Sequence, residues 1–137
     1  MPGDVPAGKK HGFSQGQRLK LGWEFETVRR EGSRLVKGCL VLNFRPNPEQ
    51  KWSRLGVITS RKIGNAVVRS RARRLMREAF RLHQGELKKA ADLILIARQS
   101  IREKQFQGVE KDFLWLVREA GLWAKPATEG LIEQGGG

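Results

Sequence analysis

Apolar positions along the chain fall into three helical rhythms and three extended runs. Over residues 18–31, Leu19, Trp23, Phe25 and Val28 supply the apolar side of a short helix, and Gly32 stops it. Leu40-Val41-Leu42-Asn43-Phe44 predicts a strand that Pro46 and Pro48 end in a turn. Leu55-Gly56-Val57-Ile58-Thr59-Ser60 predicts a second strand, hairpin-paired with the first. Gly64-Asn65 breaks the pattern, and Asn65 suits the N-cap of the helix predicted over 66–84. At about 100° per residue, Val68, Ala72, Leu75, Met76, Ala79 and Leu82 share one arc of that helix, with Arg73, Arg74, Arg77 and Arg81 opposite. Gly85 is its stop. The continuous run Asp92-Leu93-Ile94-Leu95-Ile96-Ala97 predicts a strand inside the sheet. A last amphipathic helix over 106–122 uses Phe106, Val109, Phe113, Leu116 and Val117, with Gly121 near its end. The order helix, hairpin, helix, strand, helix gives an α+β layered fold, a small mixed sheet with helices.

Pro2, Pro6 and four glycines mark residues 1–16 as a flexible N-terminal tail. Pro126 and three final glycines mark 124–137 as its C-terminal counterpart. Residues 17–123 then form a single domain, long enough to bury a modest core without metals or disulfides.

Charge narrows the function. Lys and Arg number 27 against 14 Asp and Glu, a net +13 that calls for a polyanionic partner and salt-sensitive binding. Membrane roles are disfavoured, because no stretch approaches the about 20 apolar residues of a spanning helix. Met1 to Gly16 holds no apolar block of the kind a secretory signal needs. The single cysteine, Cys39, falls in an apolar run and reads as a small core residue. The expected compartment is the cytoplasm.

No protein-borne catalytic centre is legible. His11 lies in a tail, and His83 ends a helix, where it suits a C-terminal cation or a surface group. Two histidines and one cysteine cannot make a zinc set on their own, so no metal site is assigned. Glu24 and Glu26 flank Phe25 but point to different sides of a helix. Trp52, beside prolines in a polar turn, is expected exposed, whereas Trp23, Trp115 and Trp123 are expected to pack.

One segment concentrates the chemistry. Residues 61–81 carry eight basic side chains against Glu78 alone. Arg61 and Lys62 leave a strand end, Gly64 permits close backbone approach, and the following helix N-terminus offers free N–H donors. Arg73 and Arg77 place guanidinium forks one turn apart. Such an array fits several phosphates of a folded RNA. Unrelieved like charge costs stability without a neutralising partner, which argues against a merely solvated face.

The same residues carry a family resemblance. Ser60-Arg61-Lys62-Ile63-Gly64-Asn65-Ala66-Val67-Val68-Arg69-Ser70-Arg71-Ala72-Arg73-Arg74-Leu75-Met76-Arg77-Glu78-Ala79-Phe80 closely resembles the signature segment of the bacterial ribonuclease P protein. Arg18-Leu19-Lys20 with Phe25 looks like that family's first helix, and Asp92 to Arg98 like its strand before the last helix. Two positions depart from the pattern. Ser70 replaces an Asn between two arginines, and Arg29 stands where a second aromatic is usual.

The resemblance implies a ribosomal protein S5 domain 2-like α-β sandwich with a left-handed β-α-β crossover. It implies a protein subunit, one per RNA, of an endoribonuclease whose chemistry is carried by a catalytic RNA using Mg²⁺ to remove the 5′ leader of precursor tRNA. Arg61, Lys62, Asn65, Arg69, Arg71, Arg73, Arg74 and Arg77 would bind the catalytic RNA. Arg18, Lys20, Phe25 and Arg29 would border a cleft for the leader. Phe25 is compatible both with a core ring and with one that stacks on a leader base. A structural RNA binder such as a ribosomal protein shares the charge and the α+β pattern; the signature segment separates the two. A DNA-binding module is disfavoured by the lack of a helix-turn-helix arrangement or heptads.

Overall fold

A computed structural model describes residues 17–87 and 90–123. The segments expected as tails, with His11, lie outside the described residues. Seven main elements follow in order: α1 (Gly22–Glu31), β1 (Ser33–Lys37), β2 (Leu40–Pro46), β3 (Arg54–Ile58), α2 (Ala66–His83), β4 (Ala91–Ala97) and α3 (Phe106–Glu119). The strands form one mixed sheet in the order β1-β2-β4-β3. β1 and β2 are antiparallel, as are β2 and β4, whereas β3 runs parallel to β4 with α2 as the crossover helix.

Strand alternation divides the apolar residues between two faces. Leu40, Leu42, Leu55, Leu93 and Leu95 point into the main core, where α2 brings Met76, Ala79 and Phe80 and α3 brings Phe113, Leu116 and Val117. On the opposite face Ile94 packs with Leu19 and Val28, with Phe25, Ile58 and Ile96 at the margin. The result is an α-β sandwich with two helices below the sheet and α1 above it. As expected, β4 is an inner strand.

The expected hairpin is corrected. The strands at 40–44 and 55–60 are not neighbours, because β4 lies between them. The hairpin is β1–β2, turning at Gly38, and β1 went unforeseen. Its five residues are half-buried or exposed, so only Leu35 joins the core and the alternation is weak. β3 instead takes a parallel partner, which requires a crossover helix and is invisible to pairing by sequence proximity.

The first helix is also corrected: it begins at Gly22, not residue 18. The Glu24 carboxylate accepts the N–H groups of Lys20 (2.8 Å) and Leu21 (3.0 Å), which closes the helix start there. Residues 18–19 run beside β3, Leu19 donating its N–H to the Leu55 carbonyl at 3.0 Å. At the other end α3 stops at Glu119, and Gly121 with φ 79° turns the chain so that Leu122 and Trp123 return to the core. α2 ends at His83, with Gly85 inside the 3-10 turn that follows. Cys39 is fully buried and Trp52 is exposed, as expected. Trp23 and Trp115 are exposed rather than packed, because they fall on the solvent sides of α1 and α3, away from Val28 and from Phe113, Leu116 and Val117.

Candidate RNA interface

The basic segment is built on an anchored turn. After β3 the chain makes a 3-10 turn over Arg61–Ile63, and Ile63 is buried beneath it while Arg61 and Lys62 stay exposed. Gly64 adopts φ 153°, and a Cβ there would lie 3.0 Å from the Val68 side chain. The Asn65 side-chain oxygen accepts the Val68 N–H at 3.0 Å, the cap expected from its position.

Along α2 the apolar arc turns inward and the arginines outward. Arg18, Ser70, Arg73, Arg74, Arg77, Glu78 and Arg81 line an open depression of about 410 Å³. Glu78 is engaged by Arg81 and does little for the others. Arg73 donates to Thr59 Oγ1 at 2.7 Å and to Ser70 Oγ at 3.2 Å, so the serine that departs from the family pattern orients an arginine. Burial, with Arg18 and Arg73 beside it, pulls the Arg77 guanidinium below its ordinary pKa. Among the described residues Arg77 has no carboxylate partner. Three guanidiniums therefore converge in a manner that favours an anion.

Two cations of the segment are differently occupied. Arg71 Nη2 donates to the Lys104 carbonyl at 2.5 Å and Nη1 to that of Ile101 at 3.5 Å. Arg69 Nε reaches the Asn65 carbonyl at 3.5 Å, one turn back.

α1 packs on the upper sheet face through Val28, beside Leu19 and Ile94. Phe25 is half-buried there, its ring so close to β3 that a Cβ on Gly56 would come within 2.5 Å of it. Phe25 thus packs against β3 and stays partly open to solvent, which leaves both readings of the ring standing. Lys20 and Arg29 are exposed on the same element and its lead-in. Arg18 is not with them: its side chain joins the α2 arginines. The expected set of four is therefore divided between two surfaces.

An ion network that the sequence reading missed holds α1 in place. Arg54 donates through Nε and Nη2 to both oxygens of Asp92 at 2.9 Å, and through Nη1 to Glu24 at 3.1 Å. Arg45 reaches Glu31 at 3.2 Å. Burial pushes the Glu24 carboxyl up, but hydrogen bonds from Leu21 and Lys20 and the Arg54 charge outweigh it, leaving the pKa lowered. The available signal was weak: one acid at the start of an apolar strand and one arginine beginning another.

Candidate nucleophiles and ligands are otherwise committed. Burial and Asp112 push the Cys39 thiol up to about 12, so it stays protonated. His83 is less exposed than a surface group, with Nδ1 2.9 Å from Glu86 and Nε2 2.6 Å from Glu110. Among the described residues no cluster of three or more His, Cys, Asp or Glu is placed to hold a metal. Among the same residues no helix is long and apolar enough to cross a membrane.

Comparison with known proteins gives the arrangement its family. The family model described as Ribonuclease P matches residues 13–121. The ribonuclease P protein component of Syntrophomonas wolfei is 36% identical over 112 residues, covering 82% of this chain and 93% of its own length. That of Clostridium perfringens is 40% identical over 110 residues, covering 76% and 88%. The Staphylococcus aureus RNase P protein superposes with a TM-score of 0.72 at 28% identity, over 78% of this chain and 97% of that one. The Thermotoga maritima RNase P protein does so with 0.68 at 33% identity, over 74% and 96%. With its arginine-lined helix face, its α-β sandwich and a family match across the described fold, this chain belongs to the ribonuclease P protein family and is the protein subunit of that tRNA-processing ribonucleoprotein.

Proposed function

We propose that the chain binds the ribonuclease P RNA through the turn at Arg61–Lys62 and the outer face of α2, and holds the 5′ leader of precursor tRNA in the cleft beside α1. The observation that carries this reading is Arg77, set beside Arg18 and Arg73 with no carboxylate partner among the described residues. A phosphate placed among these groups relieves their repulsion and accepts several charge-assisted hydrogen bonds. Arg61, Lys62, Arg69 and Arg74 extend the same positive surface along the turn and helix. On the other side of the sheet, Phe25 offers a ring face for a single-stranded base, with Lys20 and Arg29 for its phosphates. One protein serves one RNA, in the cytoplasm of a bacterium. The Mg²⁺ needed for cleavage is held mainly by the RNA, which carries the chemistry.

Reconstitution tests this division of labour. Cognate ribonuclease P RNA, the full-length protein and precursor tRNA are combined at low Mg²⁺. The protein accelerates correct 5′ cleavage by the RNA, binding of leader-bearing substrate tightens more than binding of mature tRNA, and protein alone cuts nothing. Correct cleavage by RNA-free protein, or equal tightening for both substrates, contradicts the proposal.

A further inference from the structure

The connection between β4 and α3 touches the basic segment at two separated points. Gln99 Nε2 donates to the Lys62 carbonyl at 3.0 Å, in the turn that presents Arg61 and Lys62. Arg71, within α2, donates to the carbonyls of Ile101 and Lys104. The Ile101 carbonyl, inside the 3-10 turn Gln99–Glu103, also accepts the Lys104 N–H at 3.1 Å, whereas the Lys104 carbonyl lies just past the turn's end, where backbone oxygens lack helical partners.

The connection is itself firmly held. Ile101 is fully buried in the main core. Arg98 ties it to the β1–β2 turn, through its N–H to the Cys39 carbonyl at 2.9 Å and through Nη1 to that of Gly38 at 3.0 Å. The 99–104 segment is therefore a fixed strut, and the RNA-facing turn and helix are bonded to it from behind. Half-buried, with its fork committed to backbone oxygens, the Arg71 guanidinium cannot swing to a phosphate without giving up its short bond to the Lys104 carbonyl.

Resting on the proposed RNA-binding role of this face, we infer that Arg71 and Gln99 are positioning residues. They set the spacing between the Arg61–Lys62 turn and the α2 arginines so that both meet the RNA together. Arg71, although it sits in the signature segment, acts through the strut and neutralises no phosphate. Gln99, outside that segment, shares its task.

The test compares binding of the full-length protein to its cognate ribonuclease P RNA across a salt series, at a temperature well below each variant's thermal midpoint. Arg74→Ala, at an exposed cation on the same helix, is the reference: it lowers the slope of log K against log salt by roughly 0.7–0.9. Gln99→Ala, at an exposed position, folds normally and weakens binding about two- to tenfold, the effect of one lost hydrogen bond, with an unchanged slope. Arg71→Ala weakens binding with the same unchanged slope, and Arg71→Lys, which keeps the charge but not the fork, does not restore it. The inference is overturned if Arg71→Ala lowers the slope by a full phosphate contact and Arg71→Lys restores it. It is equally overturned if Gln99→Ala binds as the wild type does. Should Arg71→Ala fail to fold, Gln99→Ala and Arg71→Lys decide. A flat response to Arg74→Ala instead counts against the proposed RNA face, which separates the two failures.

Discussion

Arg54 and Asp92 face each other across the parallel pair β3–β4, Nε to Oδ1 and Nη2 to Oδ2, both at 2.9 Å. The third guanidinium nitrogen leaves the sheet for Glu24, so one side chain joins two strands to the first turn of α1. Asp92 is almost wholly buried and also accepts from Asn47 Nδ2 at 3.0 Å. α1 is thus fixed to the sheet by charge as well as by the packing of Leu19 and Val28.

Removing the Asp92 charge leaves the part-buried Arg54 with Glu24 as its remaining carboxylate partner. Asp92→Asn is expected to lower folding stability by about 3 kcal/mol, the lower end for a broken buried pair, because Arg54 keeps some contact with water. Denaturant unfolding measures it. A loss below about 1 kcal/mol would show that the fork contributes no more than an exposed pair.

The sequence disclosed the helices at 66–84 and 106–122, the inner strand and the arginine face, because each depends on local periodicity or charge. It hid β1, whose five residues bury too little to alternate clearly, and it hid the parallel pairing of β3, which α2 mediates from outside the strand pattern. The start of α1 was misplaced because Leu19 looks helical by spacing yet is bound to Leu55 of β3. That shift carries functional weight: once residue 18 is extended, Arg18 joins Arg73 and Arg77 rather than Phe25. The use of Arg71 was equally hidden, since nothing in its spacing distinguishes a guanidinium facing RNA from one bonded to carbonyls.

Phe25 combines packing with exposure, so Phe25→Ala should affect both. With the ring packed against Gly56 but not fully buried, the stability loss is expected at about 2–3 kcal/mol, at or below the range for a fully buried ring. Among molecules still folded, affinity of the holoenzyme for leader-bearing precursor tRNA falls by about 1–3 kcal/mol, while affinity for mature tRNA is preserved. Adding Arg29→Ala enlarges the leader-specific loss. Equal losses on the two substrates would assign Phe25 to the core alone.

His83 links the end of α2 to α3 through Glu110 and to its own following turn through Glu86. Burial lowers its pKa, but the hydrogen bonds and charges of the two glutamates prevail and the folded value is raised. A raised folded value means that this contribution is fully present below the unfolded pKa, about 6.5. It is lost as pH rises through the folded pKa. The stability difference between wild type and His83→Gln is therefore expected to be largest near pH 6 and to shrink at higher pH. Thermal midpoints from pH 6 to 9, with an NMR titration of the imidazole, check this; a difference that grows with pH contradicts it.

The salt dependence of binding to the cognate ribonuclease P RNA reaches the central claim most directly. Arg73→Ala with Arg77→Ala removes two of the three converging guanidiniums while leaving the apolar arc of α2 intact. If both meet phosphates, the slope of log K against log salt falls by roughly 1.4–1.8 relative to wild type, at an unchanged fold. An identical slope for the double variant and the wild type would mean that the arginine face of α2 looks onto solvent and that the RNA is bound elsewhere.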